Sequence, residues 1–217
     1  MKDFVVAIDG PAGSGKSSIS DIVSKELGFT HIDTGAFFRA VTLEALKRGI
    51  NLENEDEYSF LDNMNILYEN GKTFVDGNDV SGLIRTNEIS NNVSTPAKLK
   101  KVRERVIEYE RMSSHGKVIM DGRDIGTVVL PNADLKIFLT ASNEERAKRR
   151  LLQNQMLGIK SDYETILKDI IARDKKDSER AIAPLKKADD AIEIDTTKLS
   201  IDEVSNIIVN LINERNE

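Results

Sequence analysis

The chain has 217 residues, 39% of them hydrophobic, which is enough for one well-buried core with a small insert and too few for two full-sized domains. It contains no cysteine, so a disulfide framework and a thiolate metal site are excluded, and the composition suits a reducing compartment. With 31 basic against 37 acidic residues the net charge is −6, which argues against a nucleic-acid binder that works through bulk charge.

At the N-terminus Lys2 and Asp3 precede an apolar run of only five residues, too short for a signal-peptide core. No run approaches the roughly 18 apolar residues of a membrane span, so a soluble cytoplasmic protein with no membrane partner is expected. The run itself, FVVAI (Phe4 to Ile8), is continuous, short and rich in β-branched residues, as a strand covered on both faces should be. It leads directly into Gly10, Pro11, Ala12, Gly13, Ser14, Gly15, Lys16, Ser17 and Ser18, and then into a helical face of Ile19, Ile22, Val23 and Leu27. Gly10, four free positions, Gly15, Lys16 and Ser17 match the phosphate-binding loop G-x-x-x-x-G-K-[ST]. A chance match in a chain of this length has a probability of roughly one in a hundred, and the strand before and helix after tighten it. The glycines let backbone N–H groups turn toward an anion, and the helix N-terminus adds partial positive charge. Lys16 then reaches the β- and γ-phosphates of a nucleoside triphosphate, while the Ser17 hydroxyl ligates Mg²⁺.

THI (Thr30 to Ile32) is a weaker strand candidate, followed by DTGAFFRA, which puts Arg39 in the first turns of a helix. Asn65 to Gly82 breaks the pattern: an Asn70-Gly71 turn separates two short strand-like pieces, which reads as a small antiparallel insert. Leu99, Val102 and Val106 recur at helical spacing, then KVIM (Lys117 to Met120) reads as a strand and opens into MDGRDIGT, exposing Arg123 and Asp124 on a glycine-flanked loop. Asp121, at the end of that strand, is placed to hold Mg²⁺ through water or to cap the turn. LKIFL (Leu135 to Leu139) and AIEI (Ala191 to Ile194) are further strands, with helical patterns at Tyr163, Ile166, Leu167 and Ile170 and at Ile201, Val204, Ile208 and Leu211. Between the last two strands, Arg146 to Arg180 carries ten basic and six acidic residues, a local +4 in an acidic chain, which either forms a solvated helical face or receives an anion.

Buried strands alternating with amphipathic helices predict an α/β fold, a mostly parallel sheet of about five strands with helices on both faces. The phosphate loop, Arg39 and the Arg123–Asp124 loop all then lie beyond the carboxyl ends of strands, where open parallel sheets bind ligands. No Asn-Lys-x-Asp segment is present to read guanine, which disfavours a GTPase switch. A small-molecule kinase acting on a phosphorylated acceptor needs a second, arginine-rich pocket, and these clusters supply one. A nucleotide-dependent regulatory protein that hydrolyses ATP slowly, and kinases acting on UMP, AMP or shikimate, remain as alternatives.

The segments IDGPAGSGKS, DTGAFFRA, SGLIRTNEIS, VRE at Val102 to Glu104, MDGRDIGTVVLPNADLKIFLTAS, EERAKRR and RDKKDSERAIAPL run in order from residue 8 to residue 185. In these the chain resembles the bacterial cytidylate kinases, nucleoside monophosphate kinases that move the γ-phosphate of ATP to CMP or dCMP. The resemblance implies one P-loop kinase domain over residues 1–217, with a monophosphate-binding insert at about 36–110 and a short helical lid at about 146–180. It puts Thr34 and Arg39 on the acceptor nucleotide, Arg123 on its phosphate, Ser94, Arg103 and Asp124 on the cytosine, and Arg173, Asp177 and Arg180 on the sugar side. Arg146, Arg149 and Arg150 fall in the lid over the transferring phosphate, so that Lys16, Arg123, Arg149 and Arg150 are the expected catalytic groups. Phe38 stands where the family usually has tyrosine; the ring can still wall the pocket, without a hydroxyl. The implied co-substrate is ATP with Mg²⁺, and a monomer without nucleic-acid partners is expected. No general base is needed, because a phosphate monoester with a second pKa of about 6 is already largely ionised at neutral pH. His31 and His115 are accordingly read as ordinary residues.

Overall fold

The computed structural model describes residues 3–156 and 158–216. Lys2 and position 157 of the expected lid lie outside the described residues. Five strands, β1 (Phe4–Asp9), β2 (Thr30–Asp33), β6 (Lys117–Gly122), β7 (Leu135–Thr140) and β8 (Ile192–Asp195), form one parallel sheet in the order β2-β6-β1-β7-β8. Each predicted strand is present, and most run one or two residues further at the carboxyl end. Register is fixed by pairs such as Val5↔Val118, Val6↔Leu135, Asp33↔Asp121 and Leu139↔Ile194. The connection leaving β1 runs to one side, to β2, and that leaving its neighbour β6 runs to the other, to β7, so the crevice between the carboxyl ends of β1 and β6 is the switch point at which open α/β sheets bind ligands.

Side chains alternate across the sheet, so the central strands β1 and β6 each feed two cores. Val6, Ile8, Ile119 and Ile137 meet α1 (Lys16–Leu27) and α7 (Ile201–Asn216) through Ile19, Val23, Val204, Ile208 and Ile212. Ala7, Val118 and Met120 meet α2 (Gly35–Lys47) and α4 (Lys100–Met112) through Phe37, Val41, Val102 and Val106 on the other face. Within α1 the buried stripe is Lys16, Ile19, Ser20, Val23 and Ser24, at i, i+3, i+4, i+7 and i+8, whereas Ile22 is 36% exposed. Two serines thus occupy the sheet-facing stripe that apolar spacing alone had partly assigned to Ile22.

The elements between β2 and β6 include a separate three-stranded antiparallel sheet of β3 (Ile66–Glu69), β4 (Lys72–Val75) and β5 (Asn78–Asp79). Asn70 and Gly71 both have positive φ, 51° and 74°, as a two-residue primed hairpin turn requires. The short β5 pairing is an addition to the two strand pieces read from sequence. A short helix α3 (Asn87–Asn92) and a 3₁₀ turn at Pro96–Lys98 connect this sheet to α4. Beyond β7, α5 (Asn143–Met156) and α6 (Tyr163–Glu179) pair through Ala147, Ile166 and Ile170, a small core of their own. Among the described residues no helix is long and apolar enough to cross a membrane.

Candidate active site

The loop Gly10–Gly15 bridges the carboxyl end of β1 to the first turn of α1, which opens at Lys16. A Cβ at Gly10 would lie 2.0 Å from the Leu139 carbonyl oxygen, so only glycine lets this loop pass against β7. Gly15 caps the helix with φ of 92°, the left-handed region that again favours glycine. The first N–H groups of α1 have no intrahelical acceptor and face the loop, which suits an anion. Lys16 is buried, its Nζ donating to the Pro11 carbonyl at 2.7 Å and to Ser14 Oγ at 3.4 Å. Burial, with the Arg123 guanidinium nearby, pushes its pKa well below the usual lysine value. A bound polyphosphate opposes both effects. Ser17 and Ser18 are exposed at the helix start, and Ser17 Oγ donates to Asp121 Oδ2 at 2.8 Å.

A second set of groups gathers beyond β2 and β6. Thr34, at the N-terminus of α2, donates its hydroxyl to the Asp121 carbonyl at 2.9 Å, and a Cβ at Gly122 would meet Thr34 Oγ1 at 2.6 Å. Glycine at the end of β6 is what admits the threonine. Arg39 Nη2 donates to Asp33 Oδ2 at 2.6 Å; burial alone would raise the Asp33 pKa, but Arg39 holds it below the usual carboxylate value. The strand β6 runs through Asp121 and Gly122 into Arg123 and Asp124, then into one wide π-helical turn, Ile125–Val129. Asp124 accepts from Arg103 Nη2 at 2.5 Å and from Arg180 Nη2 at 3.2 Å, all three side chains being at most 6% exposed. The Arg103 guanidinium also lies over the Phe38 ring, 5.2 Å from its centroid, and donates to the Ala97 carbonyl at 2.8 Å. Ser94, half-buried, precedes that same 3₁₀ turn.

Helices α5 and α6 contribute a third set of groups. Arg123 Nε donates to Asp177 Oδ2 at 3.1 Å, joining the β6 loop to α6. Arg173 Nε is buried and has no hydrogen-bond partner among the described residues. Its pKa falls to about 10, first through burial and then through the charge of Arg123, with Arg39 and Arg150 adding and Asp177 opposing. Four guanidiniums therefore share one field, which calls for an anion. The three arginines of α5 have different settings. Arg146 is buried and donates to the carbonyls of Ala12 and Ala141, at 2.8 and 3.1 Å, and pairs with Asp174 of α6. Arg149 donates to the Thr196 carbonyl at 2.6 Å and to Glu145 at 3.2 Å, while Thr196 Oγ1 in turn contacts the Ser14 carbonyl. Arg150 is exposed, its Nη1 donating to Gln153 at 3.0 Å.

Two acidic groups not singled out from sequence, Asp9 and Glu110, join the site, as does His31, which the sequence reads as an ordinary residue but which lies against Asp121. Asp9, buried at the end of β1, accepts the Ile125 and Gly126 N–H groups at 2.8 and 2.7 Å and so moors the Asp124 turn to the strand that carries the phosphate loop. Burial raises its pKa to about 6 against the lowering effect of those two N–H groups. His31 Nε2 lies 2.6 Å from Asp121 Oδ1. Burial would lower the His31 pKa, but the hydrogen bond and charge of Asp121, with Asp33 and Asp21 behind, raise it. Glu110 of α4 is buried beside Thr34, Arg103 and Asp124.

A strand, phosphate loop and helix facing a cluster of arginines across the carboxyl edge of a five-stranded parallel sheet define a P-loop kinase. A family model described as cytidylate kinase matches residues 6–214, and the chain belongs to that family. Proteins named cytidylate kinase from Anoxybacillus flavithermus, a Geobacillus species and Bacillus subtilis are 49%, 51% and 48% identical to it. These matches cover 100%, 97% and 99% of this chain and 99%, 96% and 98% of the relatives. Among solved structures, one titled an uncharacterized protein from Eubacterium ventriosum superposes with a TM-score of 0.56 at 13% identity, covering 98% of this chain and 100% of that one. That last likeness is one of fold alone.

Proposed function

We propose that this chain transfers the γ-phosphate of ATP to CMP or dCMP, giving ADP and CDP or dCDP. The observation that carries the reading is the buried Arg103–Asp124–Arg180 network standing beside the Arg39, Arg123, Arg150 and Arg173 field, across from Lys16. It is a polarised pocket next to an anion pocket, as a nucleoside monophosphate requires. The phosphate loop, Gly10 to Ser18, holds the donor. Lys16 follows the moving phosphoryl group, whose equatorial oxygens carry the charge of the transition state. Arg39 and Arg123 bind the acceptor phosphate with Thr34 beside them, Ser94, Arg103 and Asp124 read the base, and Phe38 walls it. Arg173, Asp177 and Arg180 approach the sugar side from the lid, residues of about 146–180, while Arg149, held by the Thr196 carbonyl, and Arg150, in the arginine field around Arg173, serve with Lys16 and Arg123 as catalytic cations over the transferring phosphate. The segment of about 36–110 serves as the monophosphate-binding insert.

Ser17 Oγ and the Asp121 carboxylate are adjacent oxygen donors, a set that suits Mg²⁺, which prefers one or two such groups and keeps several waters. Ser17 would hold the ion directly and Asp121 through water; bound there, it neutralises charge on the β- and γ-oxygens. The chain's own task is electrostatic. Two polyanions must meet within an acidic protein, and unit charges at 4 Å interact by about 4 kcal/mol at an effective dielectric near 20, so several guanidiniums must converge. Closure of the lid keeps water from competing for the phosphoryl group. The test is acceptor dependence: ADP forms from ATP and Mg²⁺ only after CMP or dCMP is added. ADP release at an equal rate without acceptor would support a slow ATPase instead.

A further inference from the structure

Asp9 closes β1, and its backbone is paired on both sides, with Gly122 of β6 and with Phe138 of β7. A side chain on such a residue starts from a rigid base. Asp9 is 4% exposed and turns both carboxylate oxygens to one short stretch of chain, Oδ1 accepting the Ile125 N–H at 2.8 Å and Oδ2 the Gly126 N–H at 2.7 Å. These two N–H groups open the π-helical turn Ile125–Val129, so no carbonyl of the turn itself can serve them. Asp124 stands immediately before them. Its carbonyl accepts from the Val128 and Val129 N–H groups at 2.9 and 3.2 Å, and the peptide after it carries the N–H that Asp9 holds. The far end of the turn is tied separately, by Arg111 of α4, which donates to the Val128 and Val129 carbonyls at 2.9 and 3.0 Å. Loss of the Asp9 carboxylate would therefore release the Asp124 end of the turn and leave the other end in place.

We propose that Asp9 is a positioning residue for acceptor selectivity, its carboxylate clamping the start of the 125–129 turn and thereby aiming Asp124 at the base. The inference rests on the reading of Asp124 as a group that reads cytosine. An ionised carboxylate suits the task, because each oxygen accepts and neither carries a hydrogen to set against an N–H. Two charge-assisted hydrogen bonds to consecutive N–H groups fix orientation as well as distance. Asp124 needs that precision, since its own carboxylate must lie between Arg103 and Arg180, at 2.5 and 3.2 Å, and still face a ligand. Asp9 also runs directly into Gly10, so the turn that reads the base and the loop that holds the donor share one anchor at the end of β1.

Asp9→Asn keeps the shape of the side chain but sets its amide N–H against one of the two backbone N–H groups. The ratio of kcat/KM for CMP to that for UMP should narrow about tenfold in D9N, whereas a merely structural loss would slow both acceptors alike and leave the ratio in place. Adding D9N to Asp124→Asn should leave the ratio within about twofold of that of D124N alone, because the group being aimed is already neutralised. Hydrogen exchange read by NMR in the nucleotide-free wild type should show the Ile125 and Gly126 N–H groups exchanging as slowly as those of β6, and D9N should speed them about tenfold or more. An unchanged ratio in D9N, a ratio that narrows further in the double variant, or fast exchange of these two groups in the wild type would overturn the proposal. If D9N does not fold, the exchange in the wild type decides by itself. A D124N ratio equal to that of the wild type would instead overturn the base-reading assignment, and the exchange measurement, which needs no nucleotide, tells the two failures apart.

Discussion

Asp124 is the residue at which stability and selectivity should fall together. Asp124→Asn keeps the shape of the side chain but removes the charge between Arg103 and Arg180, whose side chains are 1% and 5% exposed. Breaking a buried ion pair by neutralising one partner costs about 3–5 kcal/mol, because the remaining charge is left uncompensated in low dielectric. Asparagine still offers one acceptor oxygen, so the lower end, about 3 kcal/mol, is expected. For a chain of this size 1 kcal/mol corresponds to about 2–4 °C in Tm, which gives a fall of about 6–12 °C in the nucleotide-free protein. The same change places an amide opposite the cytosine amino group, where a carboxylate can only accept. The carboxylate should favour CMP over UMP through two pairings worth about 1–3 kcal/mol each, and the variant should forfeit the one made by Asp124, narrowing the kcat/KM ratio by roughly tenfold or more. Thermal unfolding and steady-state rates with both acceptors measure the two effects. A Tm shift of less than about 1 °C together with an unchanged CMP to UMP ratio would refute the reasoning.

Three further outcomes are expected. If Lys16 follows the phosphoryl group as proposed, Lys16→Ala should lower kcat by about 10² or more in a folded protein; a loss below about threefold in single-turnover rates would contradict this. Arg39→Ala and Arg123→Ala each remove a charge-assisted contact worth roughly 1.5–3 kcal/mol, so titration calorimetry should show CMP binding weakened about tenfold to a hundredfold with ATP binding nearly unchanged. His31 has a raised pKa in the fold, so its stabilisation is fully present below the unfolded value of about 6.5 and is lost as pH rises through the folded one. The Tm of the wild type should therefore decline across that window more steeply than that of His31→Phe, and parallel curves would show that the pair with Asp121 contributes nothing.

Much of this was legible because local chemistry declares itself in short segments. The buried strands are continuous runs of β-branched residues, Asn70-Gly71 marks its hairpin, and the spacing from Gly10 to Ser17 is a complete phosphate loop. What the sequence hides is partnership across long separations. Asp9 sits inside the phosphate-loop segment, but nothing local shows that it receives the N–H groups of Ile125 and Gly126 from across the sheet. His31 read as an ordinary strand residue because its role depends on the register Asp33↔Asp121, which brings the carboxylate of the neighbouring parallel strand within reach. Glu110 is one charge among many in the highly charged sequence of α4; only its burial, 2% exposed, distinguishes it. The arginines of α5 show the opposite limit. Their spacing in EERAKRR treats Arg146, Arg149 and Arg150 alike, while their partners are respectively the phosphate-loop carbonyl of Ala12, the carbonyl of Thr196, and Gln153 at the surface.

The central claim is that this chain is a phosphotransferase whose acceptor pocket is polarised for cytosine, and the most direct measurement is the ratio of kcat/KM for CMP to that for UMP, with ATP and Mg²⁺ held constant. Asp124 can only accept and Arg103 can only donate, so uracil would set a carbonyl against the carboxylate and an N–H against the guanidinium. Two buried mispairings at about 1–3 kcal/mol each predict a ratio of roughly 10² to 10⁴. Equal turnover of UMP and CMP would contradict the account.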